Sequence, residues 1–447
     1  MDRVSGKMSF FDFLEHYLIP NRPCVIDHSL CEDWEAIKLW QRDGQPNFEY
    51  LYKQFGSCEV PVADCCKRSY SAHHKEQWTM EQFLHYWKAD QQDRQQQPAG
   101  DENRKEEEER RILYLKDWHY AKQYSNSLAY TLPVIFSSDW LNEYWASRTD
   151  VDDDYKFVYM GPKGSWTPFH ADVLRSYSWL TIICGCKDWI LFPPGEEDYL
   201  RDKLGNLPFD VGTDYPPQCH PLHVILNSGE TIFVPSGWHH QVMNLEDTIC
   251  INYNWSNACN LDKMFDHLKR SLEEVKKEIS DCRSMEGWNQ QCQLILKATT
   301  GMDYNELCDY LLCIGEVRLH EREQAILRLK GTQPLSQTNT TRSCDMSCDI
   351  LTTCDMTRQR SHTPLLHQYL PDFIRTIVLQ DSPVMAELYC TAPLGATDLA
   401  VVAYRSYELN NIESVLSELV NSEVMDETKN GCKERILKFL QDLNKCV

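Results

Sequence analysis

No run of eighteen apolar residues occurs anywhere in this sequence, so no membrane-spanning helix is expected. Met1 to Gly6 is short and polar rather than charged and then apolar, so no secretory leader is expected. Basic residues are in deficit. There are 45 Lys and Arg against 67 Asp and Glu, a formal net charge of −22. That balance disfavours a general nucleic-acid binder, which needs clustered cations for the phosphates, and suits a basic protein partner better. The 20 cysteines are scattered, and none are spaced as C-x2-C. Zinc-finger and secreted disulfide frameworks are therefore not predicted, and the thiols read as reduced, in a cytoplasmic protein.

At 447 residues with 42% apolar content, the chain has room for two or three domains and a sizeable core. Its most informative stretch runs from Gly164 to Pro194, GSWTPFHADVLRSYSWLTIICGCKDWILFPP. His170 and Asp172 stand two apart, and strand side chains alternate with period two, so an extended backbone puts both on one face. A second stretch, SGETIFVPSGWHHQVMNLEDTICINYNW, reads as two short strands about a Pro-Ser-Gly turn, with His239 and His240 leading the second. Two imidazoles and a carboxylate on one side of a metal leave three positions open, the arrangement of non-haem Fe(II) oxygenases. Either motif alone is common: a His-His pair also suits a surface turn. Between them Lys187 sits in an apolar strand and, if buried, needs an anion such as a dicarboxylate. The alternative is a strand-end lysine with its head in water.

TPFHAD, GCKDWILFPP and VPSGWHHQVMNLEDTICINYNW together resemble the JmjC group of the cupin superfamily, as do YLKDWHY, LPVIFSSDWLNEYW and FVYMGPKGSW. The resemblance covers most of residues 8 to 258. It implies a mainly β fold with helices: a double-stranded β-helix of cupin, jelly-roll type, followed by a helical region. It implies Fe(II), 2-oxoglutarate and dioxygen as cofactor and co-substrates. It implies His170, Asp172 and His240 as metal ligands, with His239 at an aromatic position of the family. Lys187, Tyr114 and Thr167 match residues that hold the distal carboxylate of the co-substrate. Thr167 has the wrong parity to share a regular strand face with His170, so Pro168 must break the alternation. Asn252 and Asn254 match further co-substrate positions, Asn252 replacing a threonine, while Leu180 replaces an asparagine. The implied reaction is hydroxylation of a lysyl side chain in a protein, the eukaryotic peptide-chain release factor 1. Demethylation of Nε-methyl-lysine and a non-catalytic binding role are the rival readings.

The expected organisation is a tail over 1–8, a catalytic module over 9–258 and a helical region over 259–447. Polar insertions are expected at 91–111 and 331–364, both disordered. Ser9 to Leu18, Asn47 to Phe55, Thr79 to Lys88 and Asn260 to Cys282 read as helices. Asp150 to Tyr155 reads as a solvated acidic turn, because it lacks the glycine and glutamate of a calcium loop. His220 and His223 are rival ligands in a loop-like insertion. Cys65, Cys66, His73 and His74 do not have zinc spacing, and the cysteines at Cys344, Cys348 and Cys354 read as incidental to a linker. The C-terminal helices pair between subunits in some relatives, but a cap on the catalytic module is preferred.

Overall fold

The computed structural model describes residues 1–96, 111–151, 153–329, 396–422 and 431–445. Strands come first as β1 (Asp2–Val4), β2 (Cys24–Ile26), the hairpin β3 (Gln41–Arg42) and β4 (Gln45–Pro46), then β5 (Glu59–Ser69), β6 (Ala72–Thr79) and β7 (Leu113–Trp118). The catalytic stretch supplies β8 (Lys156–Gly161), β9 (Trp166–His170), β10 (Tyr177–Cys184) and β11 (Cys186–Phe192). After an insertion follow β12 (Leu222–Asn227), β13 (Thr231–Val234), β14 (His239–Asn244) and β15 (Thr248–Trp255).

These form a nine-stranded sheet, β1-β2-β13-β10-β15-β8-β7-β5-β6, and a four-stranded sheet, β12-β11-β14-β9. The core between them is built from alternate residues. Leu180, Ile182, Ile232, Val234 and Cys250 of the large sheet meet Trp189, Leu191, Leu226 and Val242 of the small one. This is the two-sheet jelly-roll arrangement of a cupin. β10 and β15 are buried at every position because helices cover the other face of the large sheet. Phe136 stacks on Trp179 there, and Phe10 and Phe11 pack edge-on to Tyr404.

The helices form where caps and apolar stripes place them. Ser9 accepts from the Asp12 amide at the start of Phe10–Phe13, whose last turn widens into a π-helix over Leu14–Leu18. Thr79 and Gln82 form a reciprocal capping box, each side chain accepting the other's backbone N–H, at 3.2 and 2.9 Å. The helix Leu261–Glu278 buries Leu261, Met264, Phe265, Leu268, Leu272 and Val275, one stripe of its surface. The helices Tyr304–Leu329 and Ala396–Val420 pack together and against the module, so the described C-terminal helices cap it. Glu408, fully buried, accepts from Trp140 Nε1 at 3.1 Å and joins Arg318 and Arg405 in an ionic cluster. No helix among the described residues is long and apolar enough to cross a membrane.

Four expectations need correction. The tail is not free, because Asp2–Val4 pairs in parallel with Cys24–Ile26 as the edge of the large sheet. The first insertion starts later than residue 91, since the helix beginning at Met80 continues to Gln96. Gln91 and Arg94 hold it there by bonding to Asp247. The acidic turn is not simply solvated: Arg148 pairs with Asp150, and His119 Nδ1 lies 2.6 Å from Asp154. His223 lies on a strand, β12, not in a loop. The insertion at 331–364, its three cysteines, and residues 365–394 lie outside the described residues.

Candidate active site

β9 and β14 are antiparallel neighbours, with His170 directly opposite His240. Two residues on, Val242 faces Thr167 rather than Pro168, so β9 carries one extra residue. That bulge is the required break in alternation, and it returns Thr167 to the face of His170. Asp172 lies just beyond the strand rather than on it. Its backbone is still extended, with φ −59° and ψ 149°, as the residue before a short 3-10 turn.

Each histidine donates from Nδ1 to a carbonyl two residues earlier, His170 to Pro168 at 2.8 Å and His240 to Trp238 at 3.0 Å. A carbonyl can only accept, so the Nδ1 carries the proton and the Nε2 lone pair is free. The ring centroids are 4.4 Å apart. Burial, and then the neighbouring His240, push the His170 imidazole down to about 3, which keeps it neutral. Ser178 donates to Asp172 Oδ2 at 2.7 Å. One ligand atom from each of His170, Asp172 and His240 lies within 4.8 Å of the others. Two imidazoles whose Nδ1 atoms are tied to carbonyls, and an oriented carboxylate, are the donor set a divalent metal takes. Loss of the serine hydroxyl would release the carboxylate. Ser178→Ala is expected to weaken Mn(II) binding by about 10- to 100-fold in a calorimetric titration, with little change in melting temperature.

The trio opens on a cavity. Tyr114, Thr167, Lys187 and Asn252 all line it. Lys187 is 2% exposed. Its ammonium donates to Tyr114 Oη at 2.8 Å and to Asn244 Oδ1 at 2.7 Å. Asn244 is its direct partner across the β11–β14 ladder, which brings the two side chains together. Lys187 makes no ion pair with any described residue, and burial lowers its pKa from the ordinary 10.5. A buried cation held only by neutral groups is an anion site.

Asn254 does not line the cavity. It shares a face of β15 with Asn252 but lies one pair further along, bonded to Ser176 Oγ at 3.2 Å and accepting from Asn252 Nδ2 at 3.2 Å. Leu180, opposite Asn252, contributes an apolar wall. His239 faces the other way, as strand alternation requires. Its ring packs on Phe169, and its Nε2 accepts from Arg175 Nη1 at 3.3 Å. His220 is exposed beside Glu196, and His223 contacts the Tyr215 hydroxyl at 2.9 Å, so neither reaches the cavity. His73 packs edge-on against the rings of Trp166 and Phe209 and belongs to no metal-ligating group among the described residues. Ser178, Asn244, Lys116 and Tyr159 belong to the cavity or its supports but were not anticipated. Period-two spacing from Tyr114 and Leu180 points to Lys116 and Ser178, the only signal available for them.

The model of the Cupin-like domain family matches residues 11–261. The "2-oxoglutarate and iron-dependent oxygenase JMJD4" of Danio rerio is 45% identical over 331 residues, covering 71% of this chain and 75% of that protein. The protein of the same name in Homo sapiens is 43% identical, covering 70% and 75% respectively. The "Arginine-specific demethylase JMJ20" of Arabidopsis thaliana is 39% identical, covering 68% of each chain. The chain belongs to the cupin-like domain family, in the JmjC group that includes the 2-oxoglutarate and iron-dependent oxygenases JMJD4.

Proposed function

We propose that this chain is an Fe(II)- and 2-oxoglutarate-dependent protein oxygenase that hydroxylates a lysyl side chain, with the eukaryotic peptide-chain release factor 1 as its cytoplasmic substrate. One observation carries the catalytic part. Three metal-type ligand atoms within 4.8 Å of one another share a cavity with a buried lysine that has no acid partner among the described residues. A divalent metal and a dicarboxylate complete that site together. The names of the relatives support the same cofactors.

His170, Asp172 and His240 would hold the iron, and Lys187, with Tyr114 and Thr167, the distal carboxylate of 2-oxoglutarate. With both bound, the site supplies oxidation of a C–H bond: R–H, 2-oxoglutarate and dioxygen give R–OH, succinate and carbon dioxide. The chain's own residues orient and exclude. Pro168 and Trp238 carbonyls fix the imidazoles, Ser178 fixes the carboxylate, and Trp189 packs against His240, 5.5 Å between ring centroids. Residues 9–258 serve as the catalytic module, and the described helices after it as its buttress.

The lysyl target rests on the resemblance to JmjC hydroxylases. A second reading, demethylation, is favoured by the name of the plant relative, which points to arginine rather than lysine. Both begin with the same C–H oxidation, on a side-chain carbon or on an N-methyl carbon. Incubation with Fe(II), 2-oxoglutarate and either release factor 1 or a methylarginine peptide separates them by mass spectrometry. Gain of one oxygen atom on a lysine is the expected result. Loss of a methyl group from the peptide, with release factor 1 unchanged, would replace the hydroxylase reading.

A further inference from the structure

A second lysine faces the cavity. Tyr114 and Lys116 stand two apart on β7, and both line it. Next to Lys116 the strand bulges. Pairing with β8 passes from Leu115 opposite Met160 to Trp118 opposite Val158, three residues against two. Asp117, at the bulge, has φ 64°, in the left-handed region that non-glycine residues seldom occupy. Lys75 donates to its carboxylate, and the Tyr159 hydroxyl engages the same group. Asp117, the acid next to Lys116 in sequence, is thereby engaged by Lys75 and Tyr159, although its charge also acts on Lys116, which lines the cavity.

The Lys116 ammonium makes no hydrogen bond or ion pair with any described residue. Its nearest ring contact is Tyr159, 6.0 Å from Nζ to centroid. Among the cavity-lining residues the single carboxylate is Asp172, which Ser178 already orients in the trio. The cavity thus presents two ammonium groups, one hydrogen-bonded to neutral partners and one with no hydrogen bond to any described residue, whose neighbouring acid Asp117 is bonded to Lys75 and Tyr159. A bulge of this kind, beside a site, re-aims a side chain at some cost in backbone strain.

We propose that Lys116 is a second binding residue for the 2-oxo dicarboxylate, pairing with the carboxylate that Lys187 does not hold. The inference rests on the oxygenase reading above and extends it. Two cations match the two charges of a dicarboxylate. A cationic lysyl substrate would be repelled by Lys116, so the co-substrate is its fitting partner. Selection of a doubly charged 2-oxo acid over a singly charged one is then built into the cavity wall.

The test uses the full chain with Mn(II) in place of iron and titrates 2-oxoglutarate by calorimetry. Lys116→Gln is expected to weaken its binding by about 10- to 100-fold, the range of one charge-assisted hydrogen bond. Lys116→Arg should recover part of the loss. Binding of Mn(II) alone, and the melting temperature, should not fall, since the change removes a cation near the metal. Equal 2-oxoglutarate affinity in wild type and Lys116→Gln overturns the proposal. So does a parallel fall in Mn(II) affinity and melting temperature, which marks a structural role. If only the binding of a lysyl peptide changes, Lys116 is a substrate contact and the proposal is wrong. Failure of the wild type itself to bind Mn(II) and 2-oxoglutarate would instead remove the oxygenase reading.

Discussion

Replacing His240 with alanine is expected to abolish metal binding and 2-oxoglutarate turnover, whereas His239→Ala should leave metal affinity within about tenfold of wild type. The two neighbours occupy opposite faces of β14. His240 lies opposite His170, its Nδ1 tied to Trp238, and presents Nε2 to the trio. His239 packs on Phe169 and accepts from Arg175. Removing a partner that only orients a ligand costs about 10- to 100-fold in metal affinity, and removing a ligand must cost more than that. The price of His239→Ala should show in folding instead, about 1–3 kcal/mol for truncating a buried, well-packed ring. Mn(II) titration and thermal denaturation of both variants check the pair. Equal metal loss in the two would mean that the ligand set has been misread.

Lys187→Met should move stability and function in opposite directions. The lysine is fully enclosed, and its polar contacts among the described residues are neutral: the hydroxyl of Tyr114, the amide oxygen of Asn244 and the thiol of Cys250. Carrying a lone cation into the interior costs several kcal/mol, and methionine fills the same space without that charge. The co-substrate-free protein should therefore gain about 1 kcal/mol or more in stability, read as a higher melting temperature. Affinity for 2-oxoglutarate should fall by at least about 30-fold, since losing one member of a buried charged pair costs about 2–5 kcal/mol. A variant that melts lower and binds 2-oxoglutarate normally would contradict the anion-site reading. It would make Lys187 an ordinary structural residue.

The opposite effects of this one substitution bear on what the sequence could reveal. His170, Asp172 and His240 are legible through the resemblance to JmjC proteins, and two-residue alternation adds only that His239 and His240 face opposite ways. The parity conflict at Thr167 was also visible, and the bulge in β9 resolves it. Asp172 is less direct: it reaches the trio from a turn beyond the strand, oriented by Ser178 six residues on. Asn254 shows where period two stops helping. Sharing a face with Asn252 places it on the right side of β15 but not at the right distance along it.

Other features depended on partners remote in sequence. Gln91 and Arg94 sit in a run that reads as low-complexity, and become helical by bonding to Asp247, more than 150 residues away. Val4 and its neighbours find β2 across the α-helical turn that starts at Phe10. Lys116 was hidden for a different reason. In YLKDW its only signal is the two-residue spacing from Tyr114, and the bulge beside it, at the left-handed Asp117 held by Lys75, is not visible there. A bulge of that kind has no reliable sequence signature when the residue is aspartate rather than glycine.

The central claim is that His170, Asp172 and His240 form an iron site that consumes 2-oxoglutarate. Its most direct test is succinate formation by the purified full chain supplied with Fe(II), 2-oxoglutarate and dioxygen, comparing wild type with His170→Ala. The account predicts turnover in the wild type, raised by the protein substrate, and none above background in the variant while its fold is retained. Equal succinate formation by the two, or a wild type that binds neither Fe(II) nor 2-oxoglutarate, would contradict it.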